Sequence, residues 1–434
     1  MKIGYLMQAG AANLLARPLS GPSNHVKHVC EELAALGHEV ELLMKVEGQF
    51  WHTTDLQHYT PVNVARMTHG PLNWVQRLTQ RTQSLLQLPY AAFFEAAHFA
   101  QACSQVMGDC NLFYERMGWM GYGGALAARW LDIPLVIEVN GDQWQELEIL
   151  GVAPQGRQKW VALHLMRWMT RRATHVVATG DGWRTRFIER WAVAPEKVSV
   201  VENGSELVTL LERKQLRAFA KSEPTTTVTI VYVGGFEPWH GLGVLLNAVA
   251  KARQQGATIA LYLLGAGPER PNLERQIQAL QLQEVVTLTG FVDMPTMAGY
   301  LAQADIGVCP YCGRVEYSGL KLLDYKAAGL ATIASGANGQ PVVLQHGVTG
   351  LIVPPCDEDG LSTAIVELSR DHELRRQMGR TARAEAEEQH SWRNTAQRLD
   401  AIFQPLAKQT QPPAASAELI QHGSAERKAG VVRV

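Results

Sequence analysis

At 434 residues the chain is longer than the roughly 250 to 300 residues at which one hydrophobic core stops growing, so two domains are expected. Its 46% apolar and 19% charged content and formal charge of −1 describe a globular protein, and they exclude a global field that would recruit nucleic acid or anionic lipid. Any charged substrate must be met by local groups.

The first residues, Met1 to Gly10, run straight into a strand-like apolar stretch and lack the basic region, apolar run and small-residue cleavage site of a secretory signal. Export is not expected. The best apolar candidate, Leu85 to Val106, is cut by Pro89, Glu95 and His98, so no membrane-spanning helix is expected. Short β-like runs then alternate with amphipathic helical stretches, the pattern of α/β units around parallel sheets. Strands are predicted over Lys2 to Met7, Glu39 to Met44, Val62 to Met67, Asn111 to Tyr114, Leu135 to Val139, His175 to Thr179 and Val198 to Val201. Between the first two, Asn24 to Leu36 reads as helix, with Gly37 where a helix C-terminus favours it. After Asn203-Gly204 comes a polar stretch with Lys214, Arg217, Lys221, Pro224 and Thr225 to Thr227, which reads as the interdomain linker. A second α/β run follows, with strand-like segments starting at Thr229, Ile259, Val285, Ala304, Leu330 and Gly350. Asp371 to Phe403 reads as helix, and 407–434, polar and without periodicity, reads as a disordered tail.

Six cysteines in a chain this long do not suggest a disulfide scaffold and fit a reducing compartment. Cys309-Pro310-Tyr311-Cys312 spells a redox motif, but that chemistry needs a helix starting at the motif, and the next helix signal begins only near Leu320. The pair therefore reads as incidental strand-end cysteines. Metal ligation would need two more ligands, and no second CxxC or HxxxH matches.

In open parallel sheets, ligands gather outside the carboxyl ends of strands, where backbone amides and helix N-termini hold anions. The exit at Val233 gives Gly234-Gly235-Phe236-Glu237-Pro238-Trp239-His240-Gly241 before a helical pattern of Leu242, Leu245, Leu246 and Val249. These glycines suit close approach of a phosphate, and a plain tight turn would use them equally well. The exit at Leu264 gives Gly265-Ala266-Gly267-Pro268, a weak GxG. The first strand exit, Gln8 to Asn13, lacks the GxGxxG of a dinucleotide oxidoreductase. The richest exit follows Pro310 and concentrates Arg314, Glu316, Ser318, Lys321 and Asp324 around a helix beginning near Gly319 or Leu320. A capped amphipathic helix explains its leucines. It does not explain a carboxylate pair, a lysine and two glycines in one loop.

Glu316 and Asp324 give E-x7-D, and GHEV at Gly37 to Val40, ENGSE at Glu202 to Glu206 and VTGLIVPP at Val348 to Pro355 accompany it. With these phrases the chain resembles glycosyltransferase family 4, whose signature is E-x7-E, from Met1 to about Phe403. The resemblance implies the α/β GT-B fold, two facing Rossmann-like doubly wound domains with a cleft between them. Residues 1–205 would form the acceptor domain and 206–390 the nucleotide-sugar donor domain, with 391–406 a helix crossing back to the first. It assigns Glu316 to the donor sugar, Asp324 to the nucleoside ribose, and the amides around Gly319 and Leu320 to the diphosphate, assisted by Lys321. Gly21 to Ser23 resembles the glycine loop that closes over the phosphates. Gly235 and His240 stand where the family often carries cations, a departure shared by a subgroup with a GxFxPWHG-like phrase, and Lys321 and Arg314 would compensate. Asn140 occupies the place of a sugar-binding histidine. Arg116, in the subgroup's YER, either faces the cleft or is a surface arginine.

The implied reaction is glycosyl transfer with retention from a UDP-, GDP- or ADP-linked sugar to a glycan, lipid-linked or small acceptor, with no metal and no cofactor. The departures at Gly235, His240, Asn140 and Asp324 also suit a catalytically silent GT-B binding module, and a sugar-nucleotide epimerase shares the fold. A phosphorylase would need a pyridoxal-phosphate lysine site, and none is found. Lys159-Trp160, Arg167-Trp168 and Arg171-Arg172 would suit weak membrane contact, but a buried helix face with solvated arginines is the preferred reading. The expected location is the cytoplasm, with the inner membrane face as the variant that such contact would bring.

Overall fold

The computed structural model describes 1–9, 12–16, 19–64, 78–79, 81–82, 92–141, 143–149, 151–211, 227–312, 319–336, 341 and 343–409. The first sheet is built from β1 (Lys2–Met7), β2 (Glu39–Val46), β3 (Gln49–Thr53), β4 (Thr60–Val62), β5 (Leu112–Arg116), β6 (Leu135–Val139), β7 (His175–Ala178) and β8 (Val198–Val200). Their order is β4-β3-β2-β1-β5-β6-β7-β8, parallel except for β3 and β4 at one edge. The connecting helices are α1 (Gly21–Ala35), α2 (Phe93–Val106), α3 (Gly123–Leu131), α4 (Gln143–Ile149), α5 (Gly156–Arg172) and α6 (Asp181–Trp191).

Alternation along the strands divides this sheet between two cores. Leu135, Ile137 and Val139 of β6 face α2, α3, α5 and α6, whereas Val136 joins Ile3, Tyr5 and Tyr114 on the α1 side. Buried on both faces, the parallel strands read as near-continuous apolar runs, which is why they are legible in the sequence. The antiparallel β3 is not among the predicted strands, because Gln49 to Thr53 mixes polar and aromatic residues behind a tight turn at Glu47 and Gly48, both at positive φ. The strand predicted over Val62 to Met67 is displaced: β4 spans Thr60–Val62 and ends where the prediction begins, and 65–67 lie outside the described residues.

After the short α7 (Leu207–Leu210), the second sheet comprises β9 (Val228–Val233), β10 (Ile259–Leu264), β11 (Val286–Gly290), β12 (Ile306–Cys309), β13 (Ala331–Ser335) and β14 (Gly350–Val353). All are parallel, in the order β11-β10-β9-β12-β13-β14. Its helices are α8 (Leu242–Gln254), α9 (Arg270–Ala279), α10 (Met294–Gln303), α11 (Leu320–Ala327), α12 (Glu358–Arg370) and α13 (His372–Gln389). The linker 212–226 and residues 410–434 of the predicted tail lie outside the described residues, whereas 407–409, also expected in that tail, continue the last helix.

The chain then returns. The predicted terminal helix is two elements, because His390 and Ser391 break it before α14 (Trp392–Gln409). Trp392, Ala396, Leu399 and Phe403 of α14 complete the core on the α1 side of the first sheet. Trp392 stacks on His28 with ring centres 5.4 Å apart, and Gly204 admits the Trp392 backbone where a Cβ would meet its nitrogen at 2.3 Å.

The cysteine expectation needs correction. Cys312 forms a disulfide with Cys356, while Cys309 is buried at the end of β12 and takes part in no disulfide. Sequence spacing pairs neighbours along the chain, but the fold brings the loop after β12 against the loop after β14, with Cα atoms 4.8 Å apart.

Candidate functional site

Strand order reverses at β1/β5 in the first sheet and at β9/β12 in the second, and such switch points open a crevice beyond the strand ends. At β9/β12 the crevice is lined by the β9 exit, Gly234 to His240, by Tyr311, and by the start of α11. Gly265, at φ +149°, belongs to its frame: a Cβ there would meet the Gly234 carbonyl oxygen at 1.8 Å, so its bare backbone lets the β9 and β10 exits close together.

Lys321, in the first turn of α11, is the focus of this crevice. Its ammonium donates to the Tyr232 hydroxyl at 3.1 Å and lies 4.6 Å from the Tyr232 ring centre and 5.6 Å from that of Tyr311. The Tyr232 hydroxyl donates to the Gly235 carbonyl at 2.7 Å. Burial, and then the Lys321 charge, push the His240 imidazole down to about 3, so it is neutral. Its Nδ1 lies 2.6 Å from the Gly235 carbonyl, which only accepts, so Nδ1 carries the proton. Nε2 then accepts from the Tyr311 hydroxyl at 3.2 Å. His240 therefore supplies no charge; it braces the two tyrosines that hold Lys321.

Gly319 adopts φ +69° and puts no side chain over the start of α11, and no side-chain hydrogen bond caps it. The first amides of the helix are left beside Lys321, a cationic group and helix N-terminus in one place. Leu320 turns the other way and packs against the core of the first sheet on the α1 side. Asp324, one turn on, accepts from the Ser205 hydroxyl at 2.6 Å. Burial pushes its carboxyl up to about 6, against the pull of that hydrogen bond. Glu206, next to Ser205, pairs with His28 of α1 at 3.1 Å. Asp324 is thereby tied through the linker to the first domain.

Across the crevice, Gly21 opens α1 with open space around it, and Ser20 caps the helix. Ser23 is buried and its hydroxyl donates to the Asn13 carbonyl at 3.1 Å, so it shapes the loop ahead of the helix. Asn140, after β6, donates to Glu138 at 2.7 Å. Glu138 is 1% exposed and gathers Tyr5 at 2.7 Å, Arg116 at 3.7 Å and His25. Burial drives its carboxyl upward, but His25, Arg116 and Tyr5 outweigh it and hold it at about 2. Arg116 is thus a partner of this buried carboxylate, not a freely solvated surface arginine. Nearby, a pocket of about 410 Å³ opens at the β1 and β2 ends between Gln8, Lys45, Glu95 and Trp119.

The structure brings Gly234, Gly235, His240, Gly319, Leu320 and Lys321 together and places Asn140, Gly21 and Ser23 on the first domain. Arg314, Glu316 and Ser318 lie outside the described residues. Tyr232, Tyr311, Glu138 and Ser205 are the participants that sequence reading missed. Tyr232 is visible only as a strand residue, and Tyr311 is overshadowed by its flanking cysteines. Among the described residues no group of three His, Cys, Asp or Glu converges as for a metal, and no helix is long and apolar enough to cross a membrane.

Known structures share this architecture. Sucrose-phosphate synthase from Thermosynechococcus elongatus superposes with a TM-score of 0.69 at 19% identity, over 94% of this chain and 100% of the other. HepE of Anabaena in complex with UDP gives 0.64 at 19%, over 93% and 100%. The fold is GT-B, two Rossmann-like domains. Residues 20–204 match the model described as glycosyl transferase 4-like domain, and residues 214–385 match glycosyl transferases group 1. The chain is a GT-B glycosyltransferase of the family 4 type. Similar proteins include the α-D-kanosaminyltransferase of Streptomyces kanamyceticus, 25% identical over 59% of this chain and 67% of that protein. A putative colanic acid biosynthesis glycosyltransferase of Salmonella typhimurium is 23% identical over 83% and 90%.

Proposed function

We propose that the enzyme is a retaining glycosyltransferase that uses a nucleotide sugar, with the diphosphate seated on the first turn of α11 and Lys321. The observation that carries this reading is the Lys321 cage. An ammonium held by two tyrosines at a helix N-terminus on a sheet switch point fits a diphosphate leaving group, and UDP complexes of a protein with this fold are consistent with it. The anomeric carbon's bond to the diphosphate oxygen breaks, a bond to the acceptor hydroxyl oxygen forms, and the hydroxyl proton passes to the departing diphosphate oxygen. Lys321 and the helix amides stabilise the charge arriving on the diphosphate. Glu316 receives the donor sugar, Asp324 the ribose, and Asn140 and Arg116 meet the reacting sugars from the first domain, where the Gln8 to Trp119 pocket admits the acceptor. Retention and the subgroup with the PWHG phrase belong to the same proposal.

A thermal-shift screen of UDP-, GDP- and ADP-sugars tests it, because a ligand that binds only the native state raises its stability. One donor class is expected to shift the wild type and not Glu316→Ala or Asp324→Ala. An equal shift in both variants would refute the site.

A further inference from the structure

The 17-residue α5 contains no acidic residue and buries Ala162, Met166, Met169 and Thr170 against the first domain. On the opposite side Arg157, Trp160, His164, Arg167 and Arg171 recur at steps of three and four, so they form one exposed stripe. The preferred sequence reading, a buried face with solvated arginines, is overturned for Trp160, which is 62% exposed. Among the described residues Arg157, Arg167 and Arg171 have no carboxylate partner. The neutral chain as a whole, at −1, makes this positive strip a local feature.

Helices in this layer run antiparallel to the strands, so α2 and α5 both start at the carboxyl edge of the sheet, where the cleft opens. Two further apolar side chains are exposed at that edge. Phe93 opens α2 at 59% exposure, and Val152, just ahead of α5, stands at 63%. Bulky apolar groups on the rim beside an acid-free basic strip match a surface with phosphate headgroups above acyl chains. A purely polyanionic partner would leave the apolar groups without a role.

We propose that this face seats the protein on anionic phospholipid, with the α5 arginines against headgroup phosphates and Trp160, Val152 and Phe93 in the acyl boundary. The cleft mouth then lies at the membrane surface, and an acceptor hydroxyl carried on a lipid reaches it without leaving the bilayer. Binding is measured without donor or acceptor, so its failure leaves the proposed reaction standing and is distinguishable from it.

The test is co-sedimentation of the full chain with phosphatidylcholine vesicles, with and without phosphatidylglycerol. Wild type is expected to bind the anionic vesicles, to be released by high salt, and to ignore pure phosphatidylcholine. Each basic residue near an anionic surface changes partition by about fivefold, so Arg157→Gln/Arg167→Gln/Arg171→Gln should lose at least about tenfold. Trp160→Ala, with an unchanged thermal midpoint, should lose severalfold. Wild type that stays in the supernatant, or variants that bind equally, would overturn the proposal. So would displacement by single-stranded DNA with Trp160→Ala still binding fully, which would mark a general polyanion site.

Discussion

Asp324→Asn separates the cost of the site from its use. The carboxyl is moved from an ordinary 3.8 to about 6, mainly by burial. Two units at 1.36 kcal/mol each set about 3 kcal/mol as the upper cost of keeping it charged, and partial exposure beside the linker lowers this to about 1.5–3 kcal/mol. Asparagine is isosteric and still accepts the Ser205 hydrogen bond, so it should remove this cost. The native state binds the extra proton between pH 3.8 and 6, so wild-type stability falls as pH rises through that window. The variant should therefore melt several degrees above wild type at pH 8, using about 2–4 °C per kcal/mol for a domain of this size. The gap should close toward pH 4, where the wild-type acid is neutral too. Differential scanning calorimetry across that range, alongside nucleotide-sugar binding at pH 8, gives both readouts. A variant that is less stable at pH 8, or a gap that ignores pH, would refute the reasoning; the donor affinity is expected to fall even as the fold gains stability.

Glu138→Ala and Glu138→Gln both leave His25 and Arg116 without their buried counter-charge, so each should cost about 3–5 kcal/mol by chemical denaturation. A Gln variant that costs distinctly less than Ala would mean that charge compensation is not what holds this cluster. Removing the Cys312–Cys356 link by Cys312→Ser should lower stability by about 2–4 kcal/mol under oxidising conditions and change nothing in excess dithiothreitol. Two free thiols more than expected in the unreduced wild type, by titration under denaturing conditions, would show that the link is not formed.

The parallel strands were legible because strands buried on both faces have nowhere to place polar residues, and β1 and β6 match their predicted limits. β3 was not, since Gln49, Trp51 and His52, half-buried in the strand next to the edge strand β4, give no clean period. The donor crevice was legible as a set of strand exits, but its wiring was not. His240 stands where a cation was missed, and only the fold shows it as a neutral brace for Tyr232 and Tyr311. Asp324 is displayed by its spacing from Glu316, yet its hydrogen bond to Ser205 spans 119 residues of chain, and local sequence carries no trace of such a contact. Cys312 read as an incidental strand-end cysteine, because its disulfide partner Cys356 lies 44 residues away and local sequence carries no trace of it.

The central claim is that Lys321, in its tyrosine cage, takes the place of the cations missing at Gly235 and His240. Calorimetric titration of wild type and Lys321→Ala with the nucleoside diphosphate of the donor class found by the screen tests it most directly. A charge-assisted contact of about 1.5–3 kcal/mol predicts a loss of at least about tenfold in affinity for the diphosphate and a much smaller loss for the free nucleoside. Equal affinities of the two proteins for the diphosphate would contradict the account.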